Sequence, residues 1–219
     1  MVTTLSNVVY KDYVQVPVER VGALIGKGGS VKSEIEETYG VELEVESSTG
    51  RVCIKLLEHS NPANLLTVKN IIQAIGHGVS PEKALKTFKE EDATLHVIDL
   101  KYVLGDSRNN LVRVKGRLIG EKGKARKLIE ELTNTAISIS DHTVAIVGRL
   151  ENVEVARRAI EMLIAGRPHN VVWKYLYSMR RRLKRKGFIL WEPRIEELKS
   201  AEGATKGEGK GEEEGEEGG

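Results

Sequence analysis

Leu24-Ile25-Gly26-Lys27-Gly28-Gly29-Ser30-Val31-Lys32 is the stretch on which the fold turns. An apolar pair precedes a Gly-X-X-Gly turn, and Ser30–Tyr39, with Val31 and Ile35 at helical spacing, follows it. A single Gly-X-X-Gly is common, but this one recurs as Leu118-Ile119-Gly120-Glu121-Lys122-Gly123-Lys124, 94 residues downstream. At that offset Gly22 meets Gly116, and Ile35-Glu36-Glu37 meets Ile129-Glu130-Glu131. Leu43 and Val45 meet Ile137 and Ile139. After a turn two residues shorter, Val52 and Ile54 meet Val144 and Ile146. Self-similarity of this extent means that one fold occurs twice.

Working outward, each copy reads as strand, helix, Gly-X-X-Gly, helix, strand, strand, helix. In the first, Tyr13–Val18 alternates as a strand and Glu19–Ile25 is a short helix. Gly40 stops the helix that starts at Ser30. Val41–Val45 and Arg51–Leu56 pair around the turn Ser48-Thr49-Gly50, with Cys53 pointing away from Val52, Ile54 and Leu56. Pro62–Ile75 is a long helix with Pro62 in its first turn. In the second, Leu95–Leu100 is a strand and Leu111–Ile119 a helix. Ala125–Leu132 is the next helix, Ala136–Ser140 and Thr143–Val147 form a hairpin, and a helix stripe of Val153, Ala156, Ile160 and Leu163 ends the copy. Pro81–Lys89 reads as an extra helix joining the copies.

This order resembles the KH domain in its strand-first, helix-last (type I) form, over residues from about 13 to 166. The fold class expected is α+β: two type I KH domains, each a three-stranded sheet packed against three helices, plus a C-terminal helix. The expected divisions are a first KH domain at 1–76, a connecting helix or linker at 77–93, and a second KH domain at 94–166. A basic helix and extension at 167–192 and a Gly/Glu tail at 193–219 complete the chain.

The glycine turn predicts a chemistry. Glycine has no side chain, so a nucleic-acid backbone can come close to the main chain. The helix that opens at Ser30 presents unpaired N–H donors and a partial positive charge, which suits phosphate. Lys27 and Lys32 add charge, and Val21 and Ile25 line a groove where bases lie flat. A KH groove of this kind holds about four nucleotides. The first-copy candidates for binding RNA are therefore Val21, Ile25, Gly26, Lys27, Gly28, Gly29, Ser30 and Lys32.

The second copy carries Glu121 where a phosphate would pass. Around it, seven cations fall within the fifteen residues from Arg113 to Lys127. Its candidates are Arg113, Arg117, Ile119, Gly120, Glu121, Lys122, Gly123, Lys124 and Lys127. Two readings stay open: Glu121 turns away or contacts a base and the copy binds, or Glu121 weakens phosphate contact and the copy scaffolds. Residues 168–187 hold seven Lys or Arg and no acid, on a stripe of Val172, Leu176, Met179 and Leu183. Arg181, Lys184 and Arg185 on that helix are expected to extend the second groove, because a like-charged cluster repels itself unless a polyanion relieves it. Trp191 and Phe188 read as packing residues.

Composition narrows the class further. Residues 200–219 hold seven Glu and two Lys, so the net +2 of the whole chain leaves +7 on residues 1–199. The basic body suits a polyanionic partner. The tail has too little apolar surface to order itself and reads as disordered. No apolar run reaches the roughly 18–20 residues of a membrane helix, and the N-terminus lacks a secretory pattern. One cysteine, Cys53, forms no disulfide framework. A P-loop is ruled out on spacing, since three residues separate Gly22 from Gly26 and Lys27 is followed by Gly28. A dinucleotide fingerprint would need glycine where Val31 stands. His59, His77, His96, His142 and His169 show no metal-ligand spacing, and Glu36-Glu37 and Glu130-Glu131 read as solvated. No catalytic residue, metal site or cofactor is expected, and an NTPase or nuclease is disfavoured.

The tandem copies, the joining helix, Gly116-Arg117-Leu118-Ile119-Gly120-Glu121-Lys122-Gly123-Lys124 and the Arg-rich helix resemble a narrower group. These are the partner-of-Nob small-subunit ribosome assembly factors of archaea and eukaryotes, matched over residues from about 10 to 192. The resemblance implies binding of small-subunit ribosomal RNA near its 3′ end during maturation and partners such as the Nob-type endonuclease; the lack of a secretory pattern and the single cysteine suit a cytoplasmic location, and a monomer is expected. The resemblance also implies that the first copy of eukaryotic members has lost the turn kept here at Gly26–Gly29. A KH regulator of messenger RNA or DNA is the alternative.

Overall fold

The computed structural model describes residues 8–189, with side chains from Tyr10 to Leu183 and at Arg185, so that of Phe188 is outside the description. The elements run β1 (Val8–Gln15), α1 (Val18–Ile25), α2 (Ser30–Tyr39), β2 (Val41–Glu46), β3 (Arg51–Leu57), α3 (Ala63–Gly76) and α4 (Pro81–Phe88). The second copy runs β4 (Ala93–Asp99), α5 (Leu100–Leu104), α6 (Arg108–Ile119), α7 (Lys124–Thr133), β5 (Ala136–Ile139), β6 (Thr143–Arg149) and α8 (Leu150–Ile164). Helix α9 (His169–Ile189) follows. The sheets have the orders β1-β3-β2 and β4-β6-β5, all antiparallel, as a type I KH fold requires. The chain up to Leu176 is one compact unit, and Tyr177 onward belongs to a second. The Gly/Glu tail and Trp191 lie outside the described residues.

Each strand places alternate residues inward, so Leu43 opposite Ile54 and Ile137 opposite Ile146 face their own helices. Against them pack Leu24, Ile35, Ile71 and Ile75 in the first copy, and Leu118, Ile129 and Ile160 in the second, each at most 1% exposed. Burying a side chain of this size contributes about 1.5–3 kcal/mol.

Helix α4 does more than connect. Its Ala84, Leu85 and Phe88 are buried in one cluster with Val68 and Ile72 of α3 and with Ala136, Ala145 and Val147 of the second sheet. Those three sheet residues lie on the outer face, with Leu95 and Val97 opposite Val147 and Ala145. Strand β6 is accordingly buried on both faces from Thr143 to Gly148. Polar contacts close the seam: Ser140 Oγ donates to the His77 carbonyl at 2.7 Å, and His77 Nδ1 lies 3.2 Å from Thr143 Oγ1. Lys83 of α4 pairs with Glu130 of α7 at 3.5 Å.

Candidate nucleic-acid interface

Helix α1 ends where Gly26 takes φ 76° and ψ 175°, its N–H still bonded to the Gly22 carbonyl at 3.0 Å. Lys27, Gly28 and Gly29 then make one tight turn, closed by Gly29 N–H to the Gly26 carbonyl at 3.3 Å, and α2 begins at Ser30. The second copy repeats this: Gly120 has φ 70° and ψ 178°, and Gly123 N–H reaches the Gly120 carbonyl at 3.2 Å. The first glycine of each turn tolerates no side chain. A Cβ on Gly26 would lie 2.8 Å from the Val31 nitrogen, and one on Gly120 2.9 Å from the Ala125 nitrogen. Beyond it the turns open outward, and a Cβ on Gly28, Gly29 or Gly123 would meet nothing within 4 Å. No side chain caps α2 or α7; the N–H groups of Ser30 and Lys124, expected to be unpaired, are bonded within the turns to the Lys27 and Glu121 carbonyls, and what the positive end of each helix offers an anion is its dipole.

The apolar wall beside each turn has a helical repeat of i, i+4, i+7. In α1 it is Val18, Gly22 and Ile25, with Val18 52% exposed; in α6 it is Val112, Gly116 and Ile119, at 64% for Val112 and 36% for Ile119. The two exposed glycines leave the middle of each wall flat. Val21 is not part of it. At 3% exposed it turns inward beside Leu24, and Val18 takes the surface position expected of it. The sequence signal was the pairing of Val18 with Val112 at the same 94-residue offset.

The charged candidates divide into free and engaged groups. Lys27, Ser30, Arg113, Glu121, Lys122, Lys124 and Lys127 are exposed. Lys32 instead pairs with Glu36 at 3.7 Å, as Arg126, its equivalent, pairs with Glu130 at 3.7 Å. Those two glutamates are not solvated as expected. Glu36 accepts the Leu43 N–H at 2.7 Å and Glu130 the Ile137 N–H at 2.8 Å, so each pins a strand to the helix before it. Their partners Glu37 and Glu131 are exposed. Arg117 donates to the Arg167 carbonyl at 2.7 Å, and its own carbonyl lies 3.0 Å from His169 Nε2. This commits its guanidinium to the junction of α8 and α9. Arg181 and Arg185 are exposed in the second unit, and the Lys184 side chain lies outside the described residues.

Among the described residues no group of three His, Cys, Asp or Glu side chains is placed to hold a metal ion. No helix among them is long and apolar enough to cross a membrane. What the geometry offers is two outward-facing glycine turns of like backbone conformation, each beside an apolar wall with a bare glycine at its middle.

Family comparisons agree with this arrangement. A family model described as a KH domain matches residues 11–76, and one described as a eukaryotic type KH domain (type I) matches residues 94–181. A KH domain-containing protein of Methanocaldococcus jannaschii is 40% identical over 190 residues, 85% of this chain and 82% of that protein. The RNA-binding protein pno1 of Drosophila pseudoobscura is 29% identical, over 78% of this chain and 72% of the relative. Among solved structures, a complex of a/eIF2alpha, aDim2p and rRNA from Pyrococcus horikoshii contains a chain 36% identical, with a TM-score of 0.74, covering 79% of this chain and 95% of that one. The chain is thus a tandem KH protein and belongs to the partner-of-Nob family, the family of Pno1 and Dim2p.

Proposed function

We propose that this chain binds single-stranded RNA through both Gly-X-X-Gly turns, and that its target is small-subunit ribosomal RNA near the 3′ end during ribosome maturation. The observation that carries the reading is the duplicated turn, with the same backbone angles, the same uncapped helix start and the same bare glycine on the wall. A relative solved together with rRNA supports the choice of RNA. Gly26–Gly29 supplies a short clamp, with Lys27 at the phosphate and Ile25 under a base. Gly120–Gly123, with Arg113, Lys122, Lys124 and Lys127, forms the broader platform, and the exposed Arg181 and Arg185 of the second unit supply phosphate contacts of their own. On this reading the chain works as a cytoplasmic monomer beside a Nob-type endonuclease and turns over neither RNA nor ATP.

The test is binding of an oligonucleotide from the 3′ end of small-subunit rRNA, compared with a scrambled one. Lys27→Asp with Gly28→Asp is expected to weaken binding, and Lys122→Asp with Lys124→Asp to weaken it more. If the second pair left affinity unchanged, the second copy would be a scaffold. Crosslinking in cells that gave reads spread over messenger RNA, without enrichment at that 3′ end, would replace the ribosomal reading by a general regulatory one. Co-purification with the Nob-type endonuclease and sedimentation as a 24.3 kDa species check the remaining points.

A further inference from the structure

The two copies differ where the strand hands over to the groove helix. In the first, only Val16 and Pro17 separate β1 from α1. In the second, residues 100–107 intervene, and α6 has twelve residues against eight in α1. Both helices end at their glycine turn, so the added turn lies at the start of α6 and continues its wall: Arg108 precedes Val112 by four residues, on the face of Gly116 and Ile119.

The inserted helix α5 is firmly held. Asp99 caps it, accepting the N–H groups of Lys101 at 2.8 Å and Tyr102 at 3.2 Å. Leu100 is fully buried, and its N–H donates to the His142 carbonyl at 2.7 Å. Lys115 of α6 reaches the same hairpin turn, donating to the Asp141 carbonyl at 3.1 Å. On this rigid mount the Tyr102 side chain stands 92% exposed, with Val103 beside it at 53%. The charged residues near it in the chain are the exposed cations Lys101 on α5 and Arg108 and Arg113 on α6, with Asp106 between the two helices and Asp99, the cap, at the end of β4.

From this geometry we infer that α5 and the first turn of α6 lengthen the second groove, with Tyr102 as a stacking platform for a base beyond the four held at the glycine turn. The inference rests on the RNA-binding reading of the second copy. An aromatic ring on a fixed element stacks on any base, and flanking cations hold the phosphates on either side. The basic flank and the continuity with the Val112–Gly116–Ile119 wall favour RNA as the occupant over a protein.

The experiment uses the full chain carrying Lys27→Asp and Gly28→Asp, so that only the second groove binds. Single-stranded RNAs of four and six nucleotides from the small-subunit 3′ end are titrated by fluorescence anisotropy. The six-mer is expected to bind more tightly than the four-mer. Tyr102→Ala should weaken the six-mer by roughly 5- to 100-fold, the range of base–aromatic stacking, and leave the four-mer unchanged. Tyr102→Phe should keep the parent affinity. Equal affinities of Tyr102→Ala and the parent for both RNAs would overturn the inference and leave Tyr102 to a protein contact, and so would an equal loss for both. If the parent failed to bind even the four-mer, the RNA-binding reading of the second copy would fall, and this inference with it.

Discussion

The two sheets have one strand order and opposite outer faces. On the first, Lys11, Tyr13 and Gln15 alternate along β1, Glu42, Glu44 and Glu46 along β2, and Arg51, Cys53 and Lys55 along β3. On the second the positions of Lys11, Tyr13, Glu42, Glu44, Cys53 and Lys55 hold Leu95, Val97, Ala136, Ser138, Ala145 and Val147, and only the end row of Gln15, Glu46 and Arg51 stays polar, as Asp99, Ser140 and Thr143. The first face stays polar, with Lys55 ion-paired to Glu42 and Glu44 and the Arg51 guanidinium 4.5 Å above the Tyr13 ring. The second takes α3 and α4 of the first copy onto its small apolar side chains. Alternate residues of three strands thus decide which copy can be covered. They place the two glycine turns in one compact unit, where an uncovered second sheet would have left two separate modules.

The sharpest way to break that comparison is Phe88→Ala. The ring is 5% exposed and belongs to the shared cluster, so its loss should cost about 3–5 kcal/mol. Tyr13→Ala on the open face, 52% exposed, should cost no more than about 1 kcal/mol. Equilibrium denaturation measures both. Equal costs would mean that the seam adds no cohesion beyond that of an exposed face.

How much of this could be read beforehand depended on whether the signal was local. The duplicated turn, the helix opening at Ser30 and the hairpin Val41–Leu57 follow from alternation and glycine placement, and each stands within a few residues of its expected bounds. Helix α5 was not legible. Leu100–Leu104 is too short for periodicity to show and depends on the Asp99 cap and the His142 carbonyl, a contact across the sheet. Cys53 does point away from Val52 and Ile54, yet it is only 9% exposed, because long neighbours on a polar face can still exclude water. At the site, the glycines and Ile25 were legible from the repeat. Val21 was misplaced because an eight-residue helix offers too few positions to fix its buried side. The glutamates at 36 and 130 looked solvated because their partners are backbone N–H groups seven residues ahead, which side-chain patterns do not reveal.

Those glutamates sharpen the comparison on a smaller scale. Glu36→Ala and Glu130→Ala each leave a strand N–H without its carboxylate, at a cost of about 1–3 kcal/mol. The loss should be greater in the second copy. There the carboxylate is 13% exposed and also meets Arg126 and Lys83, where Glu36 is 25% exposed and meets only Lys32 among the ion pairs described. Thermal unfolding of the two variants ranks them, and the reverse ranking would show that Arg126 and Lys83 contribute nothing to the pin.

Next in size is the exchange of charge between the turns, Lys27 in one and Glu121 in the other. Glu121→Lys should raise the affinity of the second copy for single-stranded RNA several-fold. It should also steepen the dependence of log affinity on log salt by about 0.7, the slope for one added phosphate contact on a single strand. Lys27→Glu should do the opposite in the first copy. An unchanged slope for Glu121→Lys would mean that no phosphate passes that residue and that the carboxylate faces a base.

The smallest effect comes from the seam itself, through pH. Burial holds the His77 imidazole below its ordinary value of 6.5, with the charge of His142 as the second cause. The folded chain therefore keeps His77 neutral where the unfolded chain has begun to bind a proton. Below about pH 6.5 the unfolded state takes up more protons, so stability rises with pH through that window and is level above it. Acidification from about pH 7 to 5 should thus lower the denaturation midpoint of the parent more than that of His77→Asn, which has no imidazole to protonate. The replacement tests the seam and not the turns, because His77 contacts Thr143 and Ser140 and lies outside both walls. If the two proteins lost the same stability on acidification, the imidazole would be paying no protonation penalty, and the polar contacts that close the seam would have to hold equally well with a charge inside them.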